Sequence, residues 1–164
     1  MCSTTRLTDA IDFTFPSQTL SPGQFVLVAQ DQTAFEAFYG NGLNVAGKYG
    51  TTVSQSNLAN GGEILRLADP LGRTIRQFTY DDQGLWPGRA DGHGSSLEIM
   101  DVTGNYNLAS NWRASSEFFG SPGLAGTVSA ATVVINEVLA HSALASVDFL
   151  ELVNTSAGTV DLSD

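Results

Sequence analysis

The chain has 164 residues, 42% of them hydrophobic and only 15% charged, with seven basic against 17 acidic side chains and a formal net charge of -10. That apolar content is ample for a packed core and excludes a disordered acidic tail, and the length suits one domain with a fragment of a second. The acid excess, with no basic stripe interleaved with aromatics, excludes nucleic acid and anionic membrane partners and leaves a solubilising surface or Ca²⁺ capture as its uses.

The stretch Met1–Asp9 is polar and lacks the apolar run of a signal peptide, so a signal for export is expected outside this chain. Cys2 is the single cysteine, which rules out an intrachain disulfide and a zinc cluster. Ile11, Phe13 and Phe15 alternate with polar residues, predicting a strand with one buried face. Ser21-Pro22-Gly23 then turns the chain into Gln24–Ala29, whose near-continuous apolar character predicts a central strand covered on both faces. One short helix follows, with Asp31 as its N-cap and Gly40 as its stop. Phe35, Phe38 and Tyr39 fall at helical spacing and are expected to pack the helix onto a sheet, although aromatics so spaced also suit a ligand box.

Residues 40–60 are rich in Gly and Asn and read as a long loop. Glu63–Ala68 and Thr74–Tyr80 are predicted as a hairpin joined through Asp69-Pro70-Leu71-Gly72, a type I turn sequence. Further strands are expected at Ser96–Met100 and around Asn111-Trp112-Arg113, with Ser121-Pro122-Gly123 closing this unit. Leu124–Ala131 has linker composition. Beyond it Val133-Val134-Ile135 and Phe149–Val153 read as two new strands joined by the loop 141–147. No segment is long and apolar enough to span a membrane.

Short strands punctuated by Gly, Pro, Asn and Asp predict an all-β fold with one short helix. The tail adds a more specific signal. Val134-Ile135-Asn136-Glu137-Val138, Asp148-Phe149-Leu150-Glu151-Leu152-Val153-Asn154 and Val160-Asp161-Leu162-Ser163 together resemble the opening of bacterial lamin-tail domains. Leu7-Thr8-Asp9, Phe13-Thr14-Phe15-Pro16, Leu20–Gln24, Gly61-Gly62-Glu63, Trp86-Pro87, Asp91–Glu98 and Ser121-Pro122-Gly123 resemble that family's later elements in order. The order is rotated, with the opening strands last, and the usual Trp after Val160–Ser163 is missing. A window cut from a tandem array and a circular permutant both account for this.

The resemblance implies an immunoglobulin-like antiparallel β-sandwich. It divides the chain into a main part over 1–124, a linker over 125–131 and opening strands over 132–164. Those strands are expected to complete the sandwich within one chain, as a monomer, or by exchange into a strand-swapped oligomer. It implies a non-catalytic adhesion, scaffolding or interaction module of a larger exported protein, extracellular or at the cell surface, whose partner is a protein or a surface glycan.

The residues themselves mark no catalytic site. His93 lies in an Asp91-Gly92-His93-Gly94 turn and His141 in a loop, with neither a G-x-S-x-G elbow nor an H-E-x-x-H pair in the chain. Adjacent Asp81 and Asp82 are read as solvated turn carboxylates rather than a glycosidase dyad. Asp81, Asp82 and Asp91 bracket one loop and are the candidate Ca²⁺ ligands, the one cofactor considered, although their spacing matches no EF-hand. Trp86 and Tyr80 are the candidate binding aromatics, with Trp86 expected to be exposed in its Pro/Gly loop and Trp112 to lie in the core. Glu137 and Glu151 sit within apolar strands, and alternation places Glu151 with Phe149 and Val153, so it is expected to be partly buried, with Asn136, Asn154 or an Arg as donor, unless that face is exposed.

Overall fold

A computed structural model of the chain describes residues 4–50, 57–126, 133–140 and 148–160. The chain divides into two units, residues 1–127 and 128–164. The fold is mainly β, with one short helix and several small sheets.

The first unit is built around a four-stranded antiparallel sheet whose spatial order is residues 13–14, 6–9, 63–68 and 74–80. Its strands are β1 (Arg6–Asp9), β2 (Phe13–Thr14), β5 (Glu63–Ala68) and β6 (Thr74–Tyr80). β5 and β6 form the predicted hairpin, and the Gly72 amide donates to Asp69 O at 2.9 Å across the turn. Asp69 reinforces that turn by accepting from the Leu71 and Arg73 amides at 2.9 and 2.8 Å and from Arg73 Nε at 2.7 Å.

Register assigns the two faces of this sheet. Leu7 stands opposite Leu67, Leu65 opposite Phe78 and Glu63 opposite Tyr80, all half-buried on one face. Arg6, Thr14, Ile64, Gln77 and Thr79 are exposed on the other, where Thr8 and Arg66 are half-buried neighbours. One packed face and one polar face is the usual state of a small antiparallel sheet. Ile11 and Ala10 are buried beside it, and Phe13 and Phe15 meet edge to face at 5.1 Å, as their alternation predicts.

The stretch 24–29 departs from expectation. Strand β3 covers only Leu27–Ala29 and lies in a two-stranded parallel pair with β4 (Val45–Lys48), so it is not a central strand. The residues ahead of it are held by side-chain and turn contacts instead. The Gln24 amide donates to Ser21 O, and Asn44 Nδ2 donates to Phe25 O at 2.9 Å, leaving the Phe25 ring exposed. Helix α1 (Gln32–Tyr39) joins β3 to β4. Asp31 caps it by accepting from the Ala34 amide at 3.0 Å, and Gly40, at φ 87°, ends it. Phe35 and Tyr39 are half-buried as expected, but Phe38 is 62% exposed, so the aromatic stripe is only partly core. Two further strands, β7 (Leu97–Ile99) and β8 (Trp112–Ala114), pair antiparallel.

The second unit is a single hairpin of β9 (Val133–Leu139) and β10 (Phe149–Asn154). A bulge at Asn136 shifts the register, so its faces differ from simple alternation. Leu139/Phe149, Glu137/Glu151 and Val134/Val153 share one face, and Val138/Leu150 and Ile135/Leu152 share the other. All of β10 is exposed, with Leu150 at 57% and Ile135 of β9 at 61%. Glu151 is therefore exposed rather than partly buried, though Asn136 Nδ2 does donate to it. Cys2, His141, the joining loop 141–147 and the end of the chain from 161 lie outside the described residues. Among the described residues no helix is long and apolar enough to cross a membrane.

Candidate functional site

The end of β6 and the turn after it build a cleft of about 210 Å³ in the first unit. Tyr80, Asp81, Asp82 and Asp91 all line it, together with Leu58, Pro87 and Leu97. Thus three loop carboxylates and one aromatic singled out in the sequence share one concavity.

A polar clamp fixes its floor. The Tyr80 hydroxyl lies 2.8 Å from Ala59 O and 3.0 Å from Glu63 Oε1, two acceptors for its one proton. Glu63 Oε1 also accepts from the Ala59 amide at 2.5 Å. Gly62 permits this closure, because at φ 94° a side chain there would strike Tyr80 O and stand 2.8 Å from Asp81 Cα. Burial pushes the Tyr80 hydroxyl well above the ordinary tyrosine range, and its bond to the Glu63 carboxylate adds to the rise. Tyr49 is raised too, by burial first and by the Glu63 charge second. Neither phenol is disposed to act as a base.

The rim carboxylates are spent mainly on their own loop. Asp81 Oδ1 accepts from the Asp82 and Gln83 amides at 2.8 and 2.9 Å, and Asp82 Oδ1 accepts from Gln83 Nε2 at 2.9 Å. Asp91 caps a 3₁₀ turn over Gly88–Ala90, its amide donating to Gly88 O at 3.1 Å. Among the described residues no three His, Cys, Asp or Glu side chains come together in a metal-holding group. His93 is exposed, with Nδ1 3.1 Å from Gly88 O.

The tryptophans sit elsewhere and together. Trp86 packs on Trp112 with centroids 6.0 Å apart and planes tilted by 35°. Trp112 also meets Phe78 at 5.2 Å and Tyr106 edge-on at 5.8 Å, and its Nε1 donates to Tyr106 O at 2.8 Å. Arg76 covers the Tyr106 ring at 4.4 Å. Both tryptophans are half-buried, so Trp112 is not the fully buried core residue expected. The loop Trp ends against its partner because the 3₁₀ turn after Pro87 bends the loop back towards β8.

A second aromatic group had no signal in the pattern of strands. Phe118 and Phe119 are exposed, meet at 4.5 Å, and Phe119 stands edge-on to Phe38 at 5.1 Å. Phe119 adopts φ 69°, costly for an aromatic residue, and is held there by Tyr39, whose hydroxyl donates to Phe119 O at 2.7 Å. Only the Phe-Phe doublet beside a Gly hinted at it.

No family model, curated protein or solved structure matches the chain.

Proposed function

We propose that this chain is a non-catalytic interaction module of the lamin-tail kind, an immunoglobulin-like β-sandwich carried by a larger exported protein and binding a protein or surface glycan. The observation that carries the reading is the hairpin β9–β10, whose apolar side chains are exposed on both faces. Contiguous exposed apolar surface of this kind marks an interaction site in a soluble protein. On this reading residues 132–164 add strands to a sandwich begun by 1–124, within one chain or between chains.

The test is partner capture on protein and glycan arrays with the purified chain and with Ile135→Asp and Leu152→Asp variants. Binding that disappears in the variants supports the reading. Binding equal in all three, or esterase, glycosidase or phosphatase turnover lost in His93→Ala, overturns it.

The cleft supports a second reading, a carbohydrate- or Ca²⁺-binding appendage of an exported enzyme. Its support is the gathering of Tyr80, Asp81, Asp82 and Asp91 around one concavity. Calorimetry with CaCl₂ and with neutral sugars checks it, with Asp82→Asn as the variant expected to lose heat.

A further inference from the structure

The charges of the chain are segregated. All seven basic residues precede residue 127, whereas residues 128–164 hold Glu137, Asp148, Glu151, Asp161 and Asp164 with no Lys or Arg. Within the hairpin, Glu137 stands directly opposite Glu151 on the face shared with Phe149, Val134 and Val153. Like charges directly opposed on one sheet face destabilise it unless a cation neutralises them. Asn136 Nδ2 donates to the Glu151 carboxylate, but residues 128–164 offer no Lys or Arg to neutralise the pair.

The matching cations stand on the outer face of the four-stranded sheet. Arg6 and Arg66 lie on neighbouring strands and the same face, offset by one diagonal step, since Arg6 is opposite Ala68 and Arg66 opposite Thr8. Among the described residues neither has a carboxylate partner: the two ion pairs there are Arg73–Asp69 and Arg113–Glu98. Arg66 is steadied instead by neutral acceptors, donating to Thr74 Oγ1 at 2.8 Å and Gly72 O at 2.6 Å. Around the two guanidiniums stand exposed Thr14, Gln77 and Thr79, with Ile64 as an exposed apolar spot. Cross-strand carboxylates about 5 Å apart and diagonal cations about 7–8 Å apart are within reach of each other through flexible side chains.

We infer that the Glu137/Glu151 face of the hairpin docks on the Arg6/Arg66 face of a second copy of this chain. This deepens the interaction-module reading and rests on it, naming the partner. A two-stranded face of six or seven residues is smaller than the roughly 800 Å² per partner of a stable interface. The exchange is therefore reciprocal, each copy giving its hairpin and receiving one, as a closed two-fold dimer requires. Four opposed charge pairs per dimer, two at each docked face, make the association sensitive to salt.

Sedimentation equilibrium of the full chain over a wide concentration range tests this, with far-ultraviolet circular dichroism confirming that each variant is folded. A concentration-dependent dimer is expected. Arg6→Glu and Glu151→Arg should each weaken it by roughly tenfold or more. An equimolar mixture of the two variants should recover it, because every contact in the mixed dimer again joins opposite charges. The Arg6 side chain, unlike that of Arg66, makes no hydrogen bond to the β5–β6 turn, so its reversal leaves that turn intact; Arg66→Glu is the second variant. Three results overturn the inference: a monomer at all concentrations, a dimer indifferent to both reversals, or no recovery on mixing. A monomer whose stability, rather than mass, responds to the reversals identifies docking within one chain and equally overturns it. None of these outcomes touches capture of a foreign partner by the hairpin, so the two readings fail separately.

Discussion

Tyr80 and Glu63 face each other across the β5–β6 ladder, with the phenol hydroxyl 3.0 Å from the carboxylate that can accept its proton. With its hydroxyl pushed above the usual range, the folded chain retains a proton that the unfolded chain releases near pH 10. The stability so contributed is complete below about pH 10 and is lost as pH rises towards the folded-state value. Urea unfolding at stepped alkaline pH should show this fall, and Tyr80→Phe should flatten it. At neutral pH the same substitution should cost about 1 kcal/mol, the net worth of a hydrogen bond. An unchanged alkaline slope in the variant would remove Tyr80 as its source.

The acid side has a different origin. Asp101 is held below the usual carboxylate range by the Thr103 hydroxyl and the Thr103 and Gly104 amides. At Asp69 desolvation raises the pKa, but the Arg73 and Leu71 bonds with the Arg73 charge together outweigh it, and its pKa is lowered as well. Depressed carboxylates contribute stability above their unfolded value, about pH 3.9, and that contribution is lost as pH falls through the folded value. Acid unfolding should therefore steepen below about pH 4, and less so in Asp69→Asn and Asp101→Asn. Variants as acid-sensitive as the parent would count against these two turns.

Gly62→Ala should be among the most damaging single changes, at roughly 2–4 kcal/mol, because it combines an unfavourable φ with collision against backbone that cannot move aside. Chemical denaturation measures it. A cost under about 0.5 kcal/mol would mean that the Tyr80 clamp is not closed as described.

Trp112 and Trp86, both half-buried, should be unequal in energy. Trp112 touches Phe78, Tyr106 and Trp86 and spends its indole N–H on Tyr106 O, whereas among the described residues Trp86 stacks on Trp112 alone. Trp112→Ala should cost about 3 kcal/mol and Trp86→Ala about 1 kcal/mol. Iodide quenching of the two single-Trp chains should give similar protection. A much more accessible Trp86 would restore the contrast expected from its loop.

How far the sequence reached depended on how local each interaction is. The β5–β6 hairpin and helix α1 were legible because Asp69-Pro70-Leu71-Gly72, Asp31 and Gly40 act within four residues of where they stand. The β3–β4 pair was not, because parallel pairing joins segments separated by a helix and leaves no alternation to read. Asp81, Asp82 and Asp91 were legible as one loop, and the cleft they share needed only the fold to draw them together. The Tyr80–Glu63–Ala59 clamp was hidden behind register, since nothing in composition places residue 63 across from residue 80. The opposed glutamates were likewise hidden behind register, since nothing in composition places residue 137 across from residue 151, and the bulge at Asn136 re-faces only the residues before it in β9.

The Arg113 side chain ties β7, β8 and the segment after them into one knot. It meets Glu98 at 3.0 Å and donates to Gly126 O at 2.7 Å, while Ser121 Oγ donates to the same Glu98 carboxylate at 3.2 Å. A side chain at Gly126 would run into the Glu98 carboxylate and push it off its Arg113 and Ser121 partners. The knot has a mechanical consequence. Tension pulled through the chain beyond Gly126 arrives first at a charged, half-buried anchor on a strand pair, not at the nearest turn. Load is spread over three bonds to two strands before any ladder must part, which suits a module whose far end is held by something else.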